Sequence, residues 1–257
     1  MLHLKKSLGQ HFLHDQNMLQ RIADAIGDLF AFASVVEIGP GMGALTQHLV
    51  KQQHPEFYVV ELDDRWAAYL PETFPALKGK VIHADILRAD LRDVLKHPTH
   101  IVGNFPYNIS SQIVFRIIDE RDTVTCMTGM FQKEMAVRIA AKPGSKDYGV
   151  ISVLTQAYYD ASYLFDVPPG CFNPPPKVMS GILQLHRKQT ALQCDEVLFK
   201  KLVKQAFTQR RKTLRNSLKP LLPKGFDTTV PTFDLRPEQL AVADFEALTN
   251  QVKSAAQ

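Results

Sequence analysis

Cysteine is scarce in this 257-residue chain: Cys126, Cys171 and Cys194 are odd in number, far apart and never arranged as Cys-x-x-Cys. That pattern excludes a disulfide framework and a structural zinc, so a reducing, cytoplasmic location is expected. No apolar run reaches the roughly 20 residues that cross a bilayer. Met1 to Lys6 has no hydrophobic stretch after its charges, so neither an anchor nor a signal peptide is expected. Internal repeats and low-complexity tracts are absent too. Net charge is only +4, but the balance is uneven. Arg187 to Lys219 holds ten Lys or Arg against Asp195 and Glu196, which is +8, and leaves −4 elsewhere. A local basic block points to a polyanion partner better than overall pI does.

What is present is organised around Ile101-Val-Gly-Asn-Phe-Pro-Tyr-Asn-Ile-Ser110, an apolar strand running into Asn104-Phe105-Pro106-Tyr107. These four residues are equipment for a flat, amino-bearing base. Adenine N6 is a poor nucleophile because its lone pair is delocalised, so a protein that alkylates it must offer acceptors that favour a tetrahedral nitrogen. The Asn104 side-chain oxygen is one such acceptor. Pro106 lacks an N–H and holds Phe105 extended, which turns the Phe105 carbonyl toward the cleft as a second. Tyr107 offers a face for stacking. A simple turn after a buried strand would also account for four residues alone.

Upstream, Ser34-Val-Val-Glu-Ile38 is a short buried strand, and Gly39-Pro-Gly-Met-Gly43 opens an expected helix from Ala44 to Val50. Glycines at a strand-to-helix turn allow close backbone approach to a ligand. Gly39-x-Gly41-x-x-Ala44 also fits a dinucleotide fingerprint, so a nicotinamide or flavin enzyme stays in view. Glu37 tilts the reading toward S-adenosylmethionine, whose ammonium needs anionic or carbonyl neighbours. Glu61 ends the strand Phe57 to Glu61 at the spacing where a carboxylate meets ribose hydroxyls. Asp85 ends a third expected strand, Val81 to Asp85, and the three acids are read as lying in register.

Asp15 is the expected cap of a helix through Met18, Leu19, Ile22 and Ile26. Ser110 or Ser111 should cap a helix along Ile113, Val114, Ile117 and Ile118, followed by a strand from Val124 to Phe131. Helices over 133–141 and 150–158, and strands over 163–167 and 181–186, complete the pattern, the last strand closing the sheet. His11 and His14 have no third ligand nearby and read as loop residues; no metal is expected. The prolines around Phe172 make a rigid, extended loop. Beyond Arg187 the pattern is helical, over 197–208 and 209–219. This alternation predicts an α/β fold, a mostly parallel twisted sheet wound on both sides, as a domain over 1–187 with a small all-helical domain over 188–257.

Asn104-Phe-Pro-Tyr107 resembles the Asn-Leu-Pro-Tyr motif of the ribosomal RNA adenine dimethyltransferases, with Phe105 where leucine is usual. Gly9-Gln-His-Phe-Leu13, Phe172-Asn-Pro-Pro-Pro-Lys-Val178 and Phe207 to Leu218 resemble other segments of that family. The resemblance spans nearly the whole chain. It implies a Rossmann-like class I methyltransferase using S-adenosyl-L-methionine, with His11 and Leu13 lining the cofactor and Asp85 at its adenine amino group. Phe172 would be the second face of a base sandwich, and Lys142 to Gly149 the substrate-side loop. Arg210, Arg211, Lys212 and Arg215 would hold RNA phosphates. The implied substrate is a pair of adjacent adenosines in the terminal hairpin of 16S ribosomal RNA, in the immature 30S subunit, acted on by a monomer. Rival readings are a macrolide-resistance enzyme for 23S RNA, a non-catalytic assembly factor on the same scaffold, and a dehydrogenase.

Overall fold

The structure, a computed structural model, describes residues 11–256; the Met1 to Lys6 opening and Gly9-Gln10 of the head segment lie outside them. The described residues form two compact units, 11–136 with 162–187, and 137–161 with 188–256. The chain begins with the two-residue strand β1 (Phe12–Leu13) and the helix α1 (Gln16–Ile26). The Asp15 carboxylate accepts from the Met18 amide at 2.9 Å, the cap expected there. Then come β2 (Ser34–Ile38), α2 (Thr46–Leu49), β3 (Phe57–Glu61), α3 (Asp64–Thr73) and β4 (Val81–His83). β5 (Thr99–Asn104), α4 (Ser110–Asp119), β6 (Val124–Gln132), α5 (Lys133–Ile139) and α6 (Val150–Gln156) continue the alternation. β7 (Tyr159–Val167), β8 (Phe172–Asn173), β9 (Ser180–Arg187), α7 (Glu196–Thr208), α8 (Leu214–Ser217) and α9 (Val242–Ala255) complete it.

Seven strands make one sheet in the order β4-β3-β2-β5-β6-β9-β7. β2 to β6 run parallel, and β9 is antiparallel to β6. Every residue of β2 is buried, Ser34 and Glu37 included, which is why its sequence shows no inside–outside alternation. Winding moves outward from β2 through β3 to β4, then returns to β5 on the other side of β2. The crevice outside the carboxyl ends of β2 and β5 is therefore the switch point where open α/β sheets bind ligands. Gly39 to Gly43 leaves one of these ends and Asn104 to Tyr107 leaves the other.

Several boundaries differ from those expected. Gly43 sits in the left-handed region at φ +83° and its amide donates to the Pro40 carbonyl, so a turn delays helix α2 to Thr46 and leaves it one turn long. Ser110 does not cap α4; it is the first helical residue, and its hydroxyl donates back to the Tyr107 carbonyl at 3.1 Å. β7 starts at Tyr159, and β9, the last strand in sequence, lies inside the sheet with β7 outside it. The 209–219 stretch is a turn followed by the short α8 rather than one helix.

In the second unit α7 buries Phe199, Leu202, Val203 and Ala206 and packs on α6 and α9. The Phe207 ring lies 6.5 Å from Tyr148 and 6.2 Å from Phe245. Packing of α6 on α7 is what brings 137–161, placed by the sequence in the first domain, into the same unit as 188–256.

Candidate active site

Two pairs of glycine contacts set the floor of the crevice. A Cβ on Gly103 would lie 2.5 Å from the Ile38 carbonyl, and one on Gly129, its partner in the β5–β6 register, 2.1 Å from the Phe105 ring. Bare backbone at these points lets β2, β5 and the Phe105 ring close up. Phe105 is fully buried and meets Phe131 edge-on at 5.1 Å, so the ring where leucine is usual serves packing. Its amide donates to the Met130 carbonyl at 3.2 Å. Pro106 lies under the glycine turn, 3.8 Å from where a Gly39 Cβ would sit.

The turn itself is strapped to an acid. Gly39 and Gly41 have φ of +66° and +54°, and the Gly41 amide donates to Glu61 Oε2 at 3.0 Å while the Asp63 amide donates to Oε1 at 2.8 Å. Glu61 thus shapes the cradle as well as lining it, with lone pairs to spare for a ligand's hydroxyls. Burial raises its pKa. Glu37 is buried entirely beside it and accepts from the Thr46 hydroxyl at 2.7 Å. Desolvation pushes Glu37 up to about 8, against the Thr46 hydrogen bond and with repulsion from Glu61 adding to it. Burial therefore favours the protonated form of Glu37, where the sequence argument took it as an anion.

Asp85 is not a strand end: β4 stops at His83, and the Asp85 side chain caps the following turn by accepting from the Leu87 amide at 2.9 Å. Nor are the three acids in register. Glu37 is opposite Val59 and Glu61 is opposite His83, so each acid lies two residues beyond the previous one. The stagger runs diagonally across the strand ends, suited to a ligand several rings long.

The crevice is lined by His11, Leu13, Glu37, Gly39, Gly41, Glu61, Asp85, Asn104, Phe105, Pro106 and Tyr107, all first-unit residues that the sequence singled out. Phe12, Asn108 and Ile109 also line it without having been foreseen. No described Lys or Arg does. Among the described lining residues a pyrophosphate would meet three acids, whereas a ligand bearing ammonium, sulfonium and hydroxyl donors would find acceptors throughout. The donor set fits S-adenosylmethionine.

Asn104 Nδ2 donates to the His11 carbonyl at 3.4 Å, which leaves the side-chain oxygen as the acceptor the sequence argument required. Tyr107 shares a 2.6 Å hydrogen bond with Ser180, a partner with no periodic signal in the sequence. Phe172 is corrected: its ring is 3 % exposed, belongs to the core with Leu13 and Val167, and is absent from the crevice lining. β8 pairs with β1, Leu13 opposite Phe172, and that pairing turns the ring inward.

The basic block lies in the second unit. Arg211 and Lys212 are exposed on the turn before α8. Arg215 pairs with Asp234 at 2.7 Å, and Arg210 donates to the Lys146 carbonyl and approaches Glu238 at 4.0 Å. Arg210 thereby supports the 142–149 loop. No group of three or more His, Cys, Asp or Glu among the described residues is placed to share a metal, and no described helix is long and apolar enough to cross a membrane.

The family described as ribosomal RNA adenine dimethylase matches residues 1–254. A protein named ribosomal RNA small subunit methyltransferase A from Parabacteroides distasonis is 53 % identical over 247 residues, 95 % of this chain and 92 % of that one. Its namesake from Bacteroides fragilis is 52 % identical over 254 residues, 98 % and 93 % of the two chains. Among solved structures, a dimethyladenosine transferase from Plasmodium falciparum superposes with a TM-score of 0.83 at 24 % identity, covering 96 % of this chain and 98 % of its own. The 23S rRNA methyltransferase ErmE gives 0.67 at 27 % identity, covering 93 % and 99 %.

Proposed function

This chain belongs to the ribosomal RNA adenine dimethylase family and is an rRNA methyltransferase, and we propose that it acts on the 3′-terminal hairpin loop of 16S rRNA in the immature 30S subunit. There it transfers methyl groups from S-adenosyl-L-methionine to N6 of two adjacent adenosines. The observation that supports the cofactor is the crevice at the switch point, lined by Glu37, Glu61 and Asp85. Bound S-adenosylmethionine supplies an electrophilic methyl; the chain's own groups do the rest. Glu61 would hold the cofactor's hydroxyls, Asp85 would accept from its exocyclic amine, and Glu37 would face its ammonium, losing a proton to solvent. Tyr107 would stack the target base, and the Asn104 oxygen would accept an N6 hydrogen, leaving the nitrogen lone pair free for alkylation. The N–H becomes acidic once alkylated, so water suffices as base.

The likeness to ErmE keeps 23S RNA as a second reading, and the relatives above 50 % identity favour the small subunit. Radiolabelled methyl transfer to immature small subunits and to naked 23S RNA, read with nucleoside mass spectrometry, separates them. N6,N6-dimethyladenosine in the small subunit is expected. Label in 23S RNA alone, or no transfer, would overturn the assignment.

RNA phosphates are held, in this reading, by Arg211 and Lys212 with Arg215 and Arg210 at their flanks. Reversing the charge of Arg211 and Lys212 together should lower the slope of log affinity against log salt by about 0.7 to 0.9 for each lost phosphate contact. Cofactor affinity should stay unchanged. A filter-binding salt series with the same slope as the unaltered protein would return both residues to a solvated turn.

A further inference from the structure

The turn that carries Asp85 is held from behind. Between His83 and Thr99 the chain forms neither strand nor helix. Its amides are answered locally: Arg88 and Ala89 donate to the Asp85 carbonyl at 2.9 and 2.8 Å, and Leu87 donates to the Asp85 carboxylate. The Ile86 and Ala89 carbonyls are answered by one side chain of α4, Arg116, whose Nη1 donates to the first and Nη2 to the second, both at 2.5 Å. Resting on the cofactor reading above, we propose that Arg116 is a positioning residue for the purine end of S-adenosylmethionine, its fork holding the 85–89 turn so that the Asp85 carboxylate meets the exocyclic amine.

A guanidinium suits the task because its donors lie in one rigid plane, so the two carbonyls are fixed relative to each other as well as to α4. A lysine ammonium would hold one of them as a point. The Arg116 side chain is 18 % exposed, and Glu120, one helical turn on, approaches Nη2 at 3.7 Å. Burying that charge costs free energy unless its donors are bound, and the turn's carbonyls and Glu120 supply the acceptors. Between the turn and α4 lies a hollow of about 20 Å³ lined by Ile86, Leu91, Ile113 and Ile117. Side chains that border a void lose contacts on that side. Packing alone thus leaves Ile86 room to shift, and Ile86 is also a wall of the crevice.

Helix α4 is itself fastened to the Asn104 motif. The Ile109 amide donates to the Pro106 carbonyl at 3.2 Å and the Ile113 amide to the Ile109 carbonyl at 3.0 Å, so the helix that carries Arg116 begins where Asn104 to Tyr107 ends. Ile113, Val114, Ile117 and Ile118 bury its inner face. One helix therefore references both the turn assigned to the cofactor's purine and the motif assigned to the substrate's amine. Glu37 and the glycine turn, assigned to the methionine end, follow from β2 and take no part in the fork. Loss of the fork should loosen the purine end and spare the methionine end.

The experiment titrates S-adenosylhomocysteine, and its analogue lacking the 6-amino group, into the full chain by calorimetry. The unaltered protein should bind the amino-bearing ligand at least about tenfold more tightly, the scale of one hydrogen bond to a charged group. Arg116→Met keeps an apolar stem and removes the donors, and it should bring that ratio close to one by weakening the amino-bearing ligand alone. Arg116→Lys, with one donor point for two carbonyls, should give an intermediate ratio. In turnover both variants should raise KM for S-adenosylmethionine and keep kcat. An unchanged ratio in either variant, or no preference in the unaltered protein, overturns the proposal. So does equal weakening of both ligands, which would make Arg116 a structural residue only. If circular dichroism shows that Arg116→Met does not fold, Arg116→Lys decides alone on the same criteria. Failure of the cofactor reading itself shows separately, as an unaltered protein that binds neither ligand.

Discussion

Asn104→Ala is expected to lower the rate of methyl transfer at least about 100-fold, the scale for removing one group aimed at charge developing in the transition state. The Asn104 oxygen gains its partner only when N6 turns tetrahedral, so RNA and cofactor binding should change little. The cost should therefore fall on kcat and leave KM for RNA near its original value. Some of the effect will come through His11, whose carbonyl loses its 3.4 Å hydrogen bond. Asn104→Asp separates the two contributions, because it keeps an acceptor and discards the donor. Single-turnover transfer followed by nucleoside mass spectrometry is the measurement. Dimethylation by Asn104→Ala at near the original rate would remove Asn104 from the chemistry.

Cofactor affinity should rise with pH, by up to about tenfold per unit as pH approaches 8. The cause is Glu37, whose proton is retained in the empty crevice and released when an ammonium arrives. S-adenosylmethionine and S-adenosylhomocysteine both carry that ammonium and should share the dependence. Adenosine lacks it and should not, and Glu37→Gln should flatten the dependence of the other two. Folding responds in the opposite sense. A carboxyl raised from 4.5 to about 8 binds a proton in the folded chain that the unfolded chain has already lost, so its stabilisation is full below 4.5 and fades as pH climbs to 8. The fading amounts to about 1.4 kcal/mol per pH unit at most. His100, buried against Thr128 and held neutral down to about 3 by desolvation and by His186, works the other way below 6.5. The two cancel between 4.5 and 6.5, leaving the net decline between 6.5 and 8. Denaturant midpoints across pH for the ligand-free protein and Glu37→Gln test this. Equal slopes for the two from pH 6.5 to 8 would mean Glu37 is ionised when empty.

The central strands were legible because burial on both faces leaves a plain mark: Val35, Val36, Val59, Val60, Ile101 and Val102 stand in apolar runs bounded by Gly, Pro or acid. The glycine turn and the polar residues of the crevice lining were legible for a related reason, since glycine turns and strand-end polar residues are local features. What was misread depends on contacts distant in sequence. Phe172 turns inward because Leu13, 159 positions earlier, pairs with it. Helix α2 is short because Gly43 takes a left-handed turn beneath the Phe74 ring, and nothing near Gly43 announces Phe74. Glu61 reaching Gly41, and Arg116 reaching the Ile86 and Ala89 carbonyls, leave no periodicity to find. Asp85 was placed in a strand because its neighbours are apolar, while its own side chain competes for the backbone and ends the strand early.

The position of β9 has a consequence for how the protein is made. β9 lies between β6 and β7, yet β7 leaves the ribosome first. Until residues 180–187 have been synthesised, β6 presents an unpaired edge and β7 has no neighbour to join, the condition in which exposed strands recruit other chains. Ser180, which anchors Tyr107, arrives on that same late strand. The Tyr107 wall of the crevice therefore cannot be completed until most of the chain has been translated.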